Sequence, residues 1–350
     1  MKRLLGRVLN TQPSGLILVI LGIGVVLTAF AGSHADRASG REVNNFLNSY
    51  TLMQTATDAS FFAIMAVGAT VVIISGGIDL SVGAVYALCG VCTAMLLRAA
   101  GPLSGPATVA LAAIVCVGMG LLSGLLNGLL IVGLRVHPFI ITLGTMWVLR
   151  GIAFVASKAE SVLVPDALTA VAKASPFPAG ALYPLPMLIM LLVTAAGGLY
   201  LSRTVMGRHV YAVGGNRDAS RYAGLRVNRI VASVYVLAGL TAGTAALLGI
   251  SYYGSASCAD ATGYELYVIA SAVVGGASLS GGKGSALNAM LGALLIVLIR
   301  QSIRTLHFDQ NYEWIIIGCA TVTAVVLDQV NARLTSRRLL LAAARRKAGG

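Results

Sequence analysis

Long apolar runs separated by short polar stretches set the pattern of this chain. The runs fall at 15–31, 59–75, 82–97, 107–134, 139–156, 183–202, 230–250, 265–275, 285–303 and 313–330. Most are near the roughly 17–25 residues a helix needs to cross a bilayer, so the pattern predicts about ten transmembrane helices. The run at 265–275 is the weakest, being short, carrying Glu265 and running into Gly275-Gly276. Lys2, Arg3 and Arg7 precede the first run, and Ser33-His34-Ala35 loosely resembles a signal-peptidase site. With nine further runs behind it, an uncleaved first span is the expectation.

Composition narrows the class. Hydrophobic residues make up 57% and charged residues 11%, with a mean hydropathy of +0.86, against roughly one-quarter charged in a soluble domain. No stretch is polar and long enough for a soluble core of its own. The expectation is an all-α integral membrane protein: a cytoplasmic segment at 1–14, a polytopic bundle at 15–330 and a basic cytoplasmic tail at 331–350. The net charge of +13 lies at span ends, where the positive-inside rule accounts for it without nucleic acid. With both termini cytoplasmic, the inside segments hold 17 of the 25 basic residues, whereas Asp36, Glu42, Asp58, Glu160, Asp166, Asp260, Glu265, Asp309 and Glu313 fall outside. Tyr183, Tyr200, Tyr252, Tyr253, Tyr264 and Tyr267 cluster near span ends, as an interfacial belt requires, and Gly120, Gly124 and Gly128 make a smooth face for a neighbouring helix.

The most charged stretch between two apolar runs is Gly207 to Arg229, within an inside segment at 203–229, with five arginines against Asp218. Asn216 is placed to cap a short helix beginning at Arg217, and Gly224 to stop it. A capped surface helix offers a partner something rigid to grip; the simpler alternative is a charged loop that only fixes topology.

The chain also matches itself. Gly76 to Gly83 agrees with Gly275 to Gly282 at five of eight positions, and Ala87-Leu88 matches Ala286-Leu287 at the same offset. Glycine-interrupted apolar segments at corresponding places in two halves are a transporter signature, so Gly76, Gly77, Gly275 and Gly276 are expected helix breaks in a diverged internal repeat. Asp79 is closely flanked by spans. An acid at a helix centre costs about 2.5–3.5 kcal/mol on insertion scales, so it either belongs to a solute path or, with Ser81, caps the third span at the cytoplasmic surface.

Enzyme chemistry finds no foothold. The Gly276 to Ser285 stretch fails the phosphate-loop spacing. Cys89 and Cys92 sit in an apolar helix, and His34, His137, His209 and His307 lie in separate connecting segments. The chain is expected to bind no cofactor or metal, to be no enzyme, and to have no proton relay beyond Asp79.

GGIDLSVGA at 76–84, HPFIITLGTMWVLRG at 137–151, GRHVYAVGGNRDASRYAGL at 207–225 and VVGGASLSGGKGS at 273–285 together resemble the membrane subunit of ribose-, xylose-, arabinose- or galactoside-type ABC importers. Asp218-Ala219-Ser220 with Gly224 is similar to the EAA-x3-G signature of importer permeases, with Asp for Glu and Ser for the second Ala. The resemblance implies a coupling helix formed by Arg217, Asp218, Ala219, Ser220 and Gly224. It would dock an ATP-binding subunit that carries the ATP and magnesium. It further implies an extracytoplasmic solute-binding protein, a second copy of the chain, a bacterial inner membrane with its lipid, and alternating access for a monosaccharide. On this reading Ser81, Asn127, Thr142 and Thr145, with Asp79, are candidates to line the path, and the segments at 32–58 and 157–182 are candidate docking surfaces for the binding protein. The alternatives are an ion-coupled secondary carrier, or a permease for a branched-chain amino acid or another small polar solute.

Overall fold

Each apolar run that can be followed becomes a helix. The computed structural model describes residues 12–35, 40, 42–174, 183–319, 322, 323 and 326. Residues 1–11, the basic tail at 331–350, part of the last expected span and parts of both expected docking segments lie outside them. Among the described residues, eight helices are long and apolar enough to cross a membrane: α1 (Gln12–Phe30), α2 (Ser49–Ile74), α3 (Val82–Ala100), α4 (Gly105–Leu134), α5 (Pro138–Ser157), α7 (Leu185–Arg203), α10 (Val227–Tyr253) and α12 (Ala286–Thr305). Shorter helices join them: α6 (Asp166–Ala172), α8 (Val205–Gly215), α9 (Arg217–Tyr222) and α11 (Tyr264–Val274). Residues 312–319 are also helical. Two small antiparallel pairs, β1 (Ser33–Ala35) with β2 (Glu42–Asn44) and β3 (Val162–Leu163) with β4 (Ser255–Ala256), tie loops together at one end.

Three boundaries differ from the pattern's prediction. The second span begins at Ser49 rather than 59, because the Asn48 side chain accepts the Thr51 N–H and starts the helix early. Asp58 therefore sits inside a helix, 3.7 Å from Arg304, and not in an outside loop. The run at 265–275 is an 11-residue helix, α11, rising about 16 Å at 1.5 Å per residue and so too short for a hydrocarbon core of about 30 Å. The inside segment at 203–229 carries a second helix, α8, started by the Thr204 hydroxyl accepting the Gly207 N–H.

Every residue of α2 from Ala59 to Ile74 is buried, which is why that run is apolar on all sides. Around it, α4 and α10 cross backbone to backbone. A Cβ on Gly120 would lie 2.3 Å from the Gly239 carbonyl oxygen, and one on Gly124 would lie 2.3 Å from that of Tyr235. Close approach of this kind replaces the hydrophobic drive that is absent between helices in lipid. Gly124→Leu is expected to force the two helices apart and to leave little or no folded protein in membrane extracts; native yield and elution on gel filtration would contradict this packing.

Candidate functional site

The loop between α2 and α3, residues 75–81, brings four of the five expected path residues into one chain of hydrogen bonds. Asp79 Oδ1 accepts from the Ser81 backbone N–H at 2.8 Å and from its hydroxyl at 2.6 Å. Asn127 Nδ2 donates to Ser81 Oγ at 2.7 Å, and the Thr145 hydroxyl donates to Asn127 Oδ1 at 2.7 Å. Thr142 joins from the side, its hydroxyl donating to the Pro138 and Ile78 carbonyls. Asp79, Ser81, Asn127, Thr142 and Thr145 are all buried.

Depth follows from helix rise. Asn127 lies seven residues before the end of α4 and Thr145 seven after the start of α5, so both sit about 10 Å inside the same end of the bundle. Asp79 is bonded into that layer and does not cap a helix at the surface. It does set the start of α3, since its carboxylate takes the Ser81 N–H. Tyr235 is a partner the sequence reading missed. It is fully buried in α10 and its hydroxyl donates to the Ile78 carbonyl at 3.3 Å. The available signal was a lone phenol in an apolar run, which needs a partner when buried.

The expected breaks are present as matched helix ends. Gly76 N–H bonds Ile73 O and Gly77 N–H bonds Val72 O; Gly276 N–H bonds Val273 O and Ala277 N–H bonds Ala272 O. Gly76 and Gly276 take φ of +79° and +89°, the left-handed turn that closes a helix and favours glycine. Structural equivalence therefore pairs Gly76 with Gly276, whereas the sequence match pairs it with Gly275. The proposed match of Ala87 with Ala286 also fails, because Ala286 opens α12 while Ala87 lies six residues into α3. The second half has a longer loop before its next helix. Gly77 and Gly275 serve close approach instead: a Cβ on the first would meet the Tyr235 hydroxyl at 2.5 Å, and on the second the Asn288 carbonyl oxygen at 2.4 Å.

Helix α9 begins and ends where the sequence places it. Asn216 Oδ1 accepts the Ala219 N–H at 2.9 Å, and Gly224, at φ +82°, follows its last turn with Leu225 N–H bonded to Ser220 O. Arg217, Asp218, Ala219 and Gly224 are exposed, as is Tyr222 at 91%. Ser220 is buried and faces its own chain, so it supports the helix from behind. Beneath α9, α8 reaches both helix breaks. The carbonyl of Ile74, at the end of α2, accepts the Gly282 N–H at 2.8 Å, and a Cβ on Gly214 of α8 would lie only 1.6 Å from that oxygen. Tyr211 donates to the Gly284 carbonyl at 2.8 Å. The exposed helix thus connects through one rigid neighbour to the loop that carries Asp79 and to its counterpart in the other half.

Two charged regions mark opposite ends of the bundle. At the end shared by α4, α5, α9 and α10, a cleft of about 950 Å3 is lined by Arg135, Arg217, Arg221, Arg226 and Arg229. At the other end Arg300 lies 2.7 Å from Glu313, whose carboxylate also accepts from Tyr267, amid Phe62, Tyr264 and Trp314. On that side Arg150, within α5, donates to the carbonyls of Cys258, Asp260 and Ala261. It fixes the turn that launches α11.

Residues 51–325 match the family described as "Branched-chain amino acid transport system / permease component". The chain belongs to this family. Among curated relatives, this permease is 36% identical over 289 residues to the ribose import permease protein of Escherichia coli, covering 81% of this chain and 87% of that one. It is 34% identical over 288 residues to the D-allose transport system permease protein of the same species, covering 81% and 85%. To the fructose import permease protein of Rhizobium meliloti it is 29% identical over 327 residues, covering 92% and 86%. No solved structure matches it. The four motifs that carry the resemblance, from Gly76 to Ser285, lie within the matched stretch. As an importer permease the chain is a transport subunit and not an enzyme, the ATPase activity of such systems lying in a separate subunit.

Proposed function

We propose that this permease carries a monosaccharide inward across a bacterial inner membrane by alternating access. It would act as a homodimer with ATP-binding subunits on the basic end and a soluble binding protein at the tyrosine-rich end. The observation that carries the reading is the identity of about one-third, across four-fifths of the chain, to permeases named for ribose and D-allose. On this reading the arginine-bearing end, with α9, is cytoplasmic, in keeping with the positive-inside rule.

The route of force is short. Nucleotide-driven closure of the ATP-binding subunits moves α9; α8 follows, and with it the contact of Gly214 on Ile74 and Gly282. Both helix breaks then shift, and the loop carrying Asp79 and Ser81 parts from Asn127 and Thr145. In the closed arrangement the polar groups satisfy one another, whereas in the open one they are free to exchange those bonds for sugar hydroxyls. A relay of hydroxyl and amide groups, anchored at one end by the Asp79 carboxylate, suits a solute that must be passed on without being held tightly. Uptake of labelled ribose, allose and fructose by cells producing the permease with its partners tests the proposal. Uptake should stop on ATP depletion and survive collapse of the proton and sodium gradients; the opposite pattern would make the chain a secondary carrier.

A further inference from the structure

The cleft at the basic end has the build of a phosphate site. Arg135, Arg217, Arg221, Arg226 and Arg229 line it, and no acid among the described residues does. Among the described residues the ion pairs are Arg300 with Glu313 and Arg304 with Asp58, both at the opposite end, so five guanidinium groups share the cleft wall without a carboxylate. Asp218, the acid on α9, lies off the wall, whereas Arg217 and Arg221, one turn apart, face it. Helix α9 therefore has two working faces, one toward the cleft and one carrying Asp218, Ala219 and Tyr222 outward.

Backbone dipoles add to this field. The 27-residue helix α10 starts at Val227 with no side chain capping it, and its first residues, Val227, Asn228 and Arg229, line the cleft. Helix α5 also starts there, at Pro138. Helix N-termini carry partial positive charge that suits a phosphate. Here the dipole supplies it rather than free N–H groups, since the Val227 and Arg229 N–H groups are bonded to the Leu225 and Arg226 carbonyls and the Phe139 N–H to His137 Nδ1. The C-terminal carbonyls of α4 end nearby at Arg135 and offset part of the field, but they leave the cleft strongly positive.

Apart from His137 and Asn228, the rest of the lining is apolar. Ile131 and Val132 come from the last turns of α4 and Val231 from the second turn of α10. Beside the cleft, Leu134, Phe139 and Ile140 are exposed at 60%, 43% and 59%, as lipid-facing residues are. A free anion would have no use for such walls, and an acidic protein surface would not need a border of exposed apolar residues. A molecule with a phosphate at one end and hydrocarbon at the other uses both.

We infer that this cleft binds the headgroup of an anionic phospholipid, its phosphate between Arg226, Arg229 and the start of α10, its chains leaving past Val132 toward the exposed Leu134, Phe139 and Ile140. Basic pockets between spans at the cytoplasmic face are of the kind that takes such headgroups. Because Arg217 and Arg221 reach the same cleft from α9, bound lipid would brace the inner face of that helix. The inference does not depend on which solute is carried, since lipid retention is read without transport.

The test is native mass spectrometry of the purified full chain after incubation in mixed micelles of phosphatidylglycerol and phosphatidylcholine. Arg226→Gln with Arg229→Gln is compared with the native chain and with Arg203→Gln plus Arg208→Gln, two exposed arginines that do not line the cleft. The expected result is retained phosphatidylglycerol on the native chain and the control, and about thirtyfold weaker retention on the cleft variant, the effect of losing two basic charges at a membrane surface. Phosphatidylcholine should be unaffected, and excess inorganic phosphate should not displace the lipid. Equal retention by all three chains, equal loss in the control, or displacement by inorganic phosphate would each overturn the inference. So would a cleft variant that keeps the lipid but loses its ATP-binding subunit, which would give the cleft to a protein partner. Gel filtration checks the fold, and Arg135→Gln is the substitute if the double variant fails to fold.

Discussion

Gly214→Val is expected to reduce uptake by about a hundredfold, while the protein still inserts and still carries an ATP-binding subunit. The reason is geometric. Any Cβ at position 214 would stand 1.6 Å from the Ile74 carbonyl oxygen and 2.7 Å from the Gly282 nitrogen, atoms already bonded to each other. Backbone on both sides cannot yield as a flexible side chain would, so α8 must back away from both helix breaks. The outer surface of α9, set by Asn216 and Gly224, is left unchanged. A hundredfold is the scale on which a displacement of about 1 Å acts at a positioned site. Uptake and co-purification measured on the same preparation check it: loss of both would mean misfolding or lost docking, and loss of neither would remove α8 from the force route.

Asn127→Leu should slow uptake by about tenfold or more with assembly intact. Its side chain is 1% exposed and is the link between Ser81 and Thr145. Leucine fills similar space but leaves the Thr145 hydroxyl only the longer bond to the Thr142 carbonyl at 3.3 Å and leaves Ser81 Oγ without its donor, the second at about 1–3 kcal/mol when buried. The closed arrangement loses its seam, and the open one loses a group to meet sugar hydroxyls. Unchanged uptake would take Asn127 out of the path and leave the network a purely structural one.

Much of this was legible because the signals were local. An Asn before Arg217 and a glycine at 224 are enough to bound α9, since a cap and a left-handed stop act within one turn. Glycine pairs at 76–77 and 275–276 announced the breaks for the same reason. The register of the repeat was not legible: the sequence match at Gly275 competes with the backbone turn at Gly276, and only hydrogen bonds decide between them. Helix α8 was hidden because charge in the stretch around Arg208 and His209 masks the buried positions Val210 and Val213. The early start of α2 was hidden because Thr51, Gln54 and Asp58 look like loop residues, yet Gln54 and Asp58 face Tyr252, Tyr253 and Arg304 across the bundle. The joining of Asp79 to Asn127 and Thr145 spans a loop and two separate helices, and no local pattern records that.

The central claim is that α9 couples this permease to an ATPase, and co-purification from membranes tests it most directly. The native chain is compared with Ala219→Arg plus Gly224→Pro, which places a bulky charge on the exposed face and removes the left-handed stop at φ +82°. The account predicts that an ATPase accompanies the native permease and is lost from a variant that still elutes as folded protein. An ATPase bound equally to both, or to neither while uptake follows an ion gradient, would contradict it.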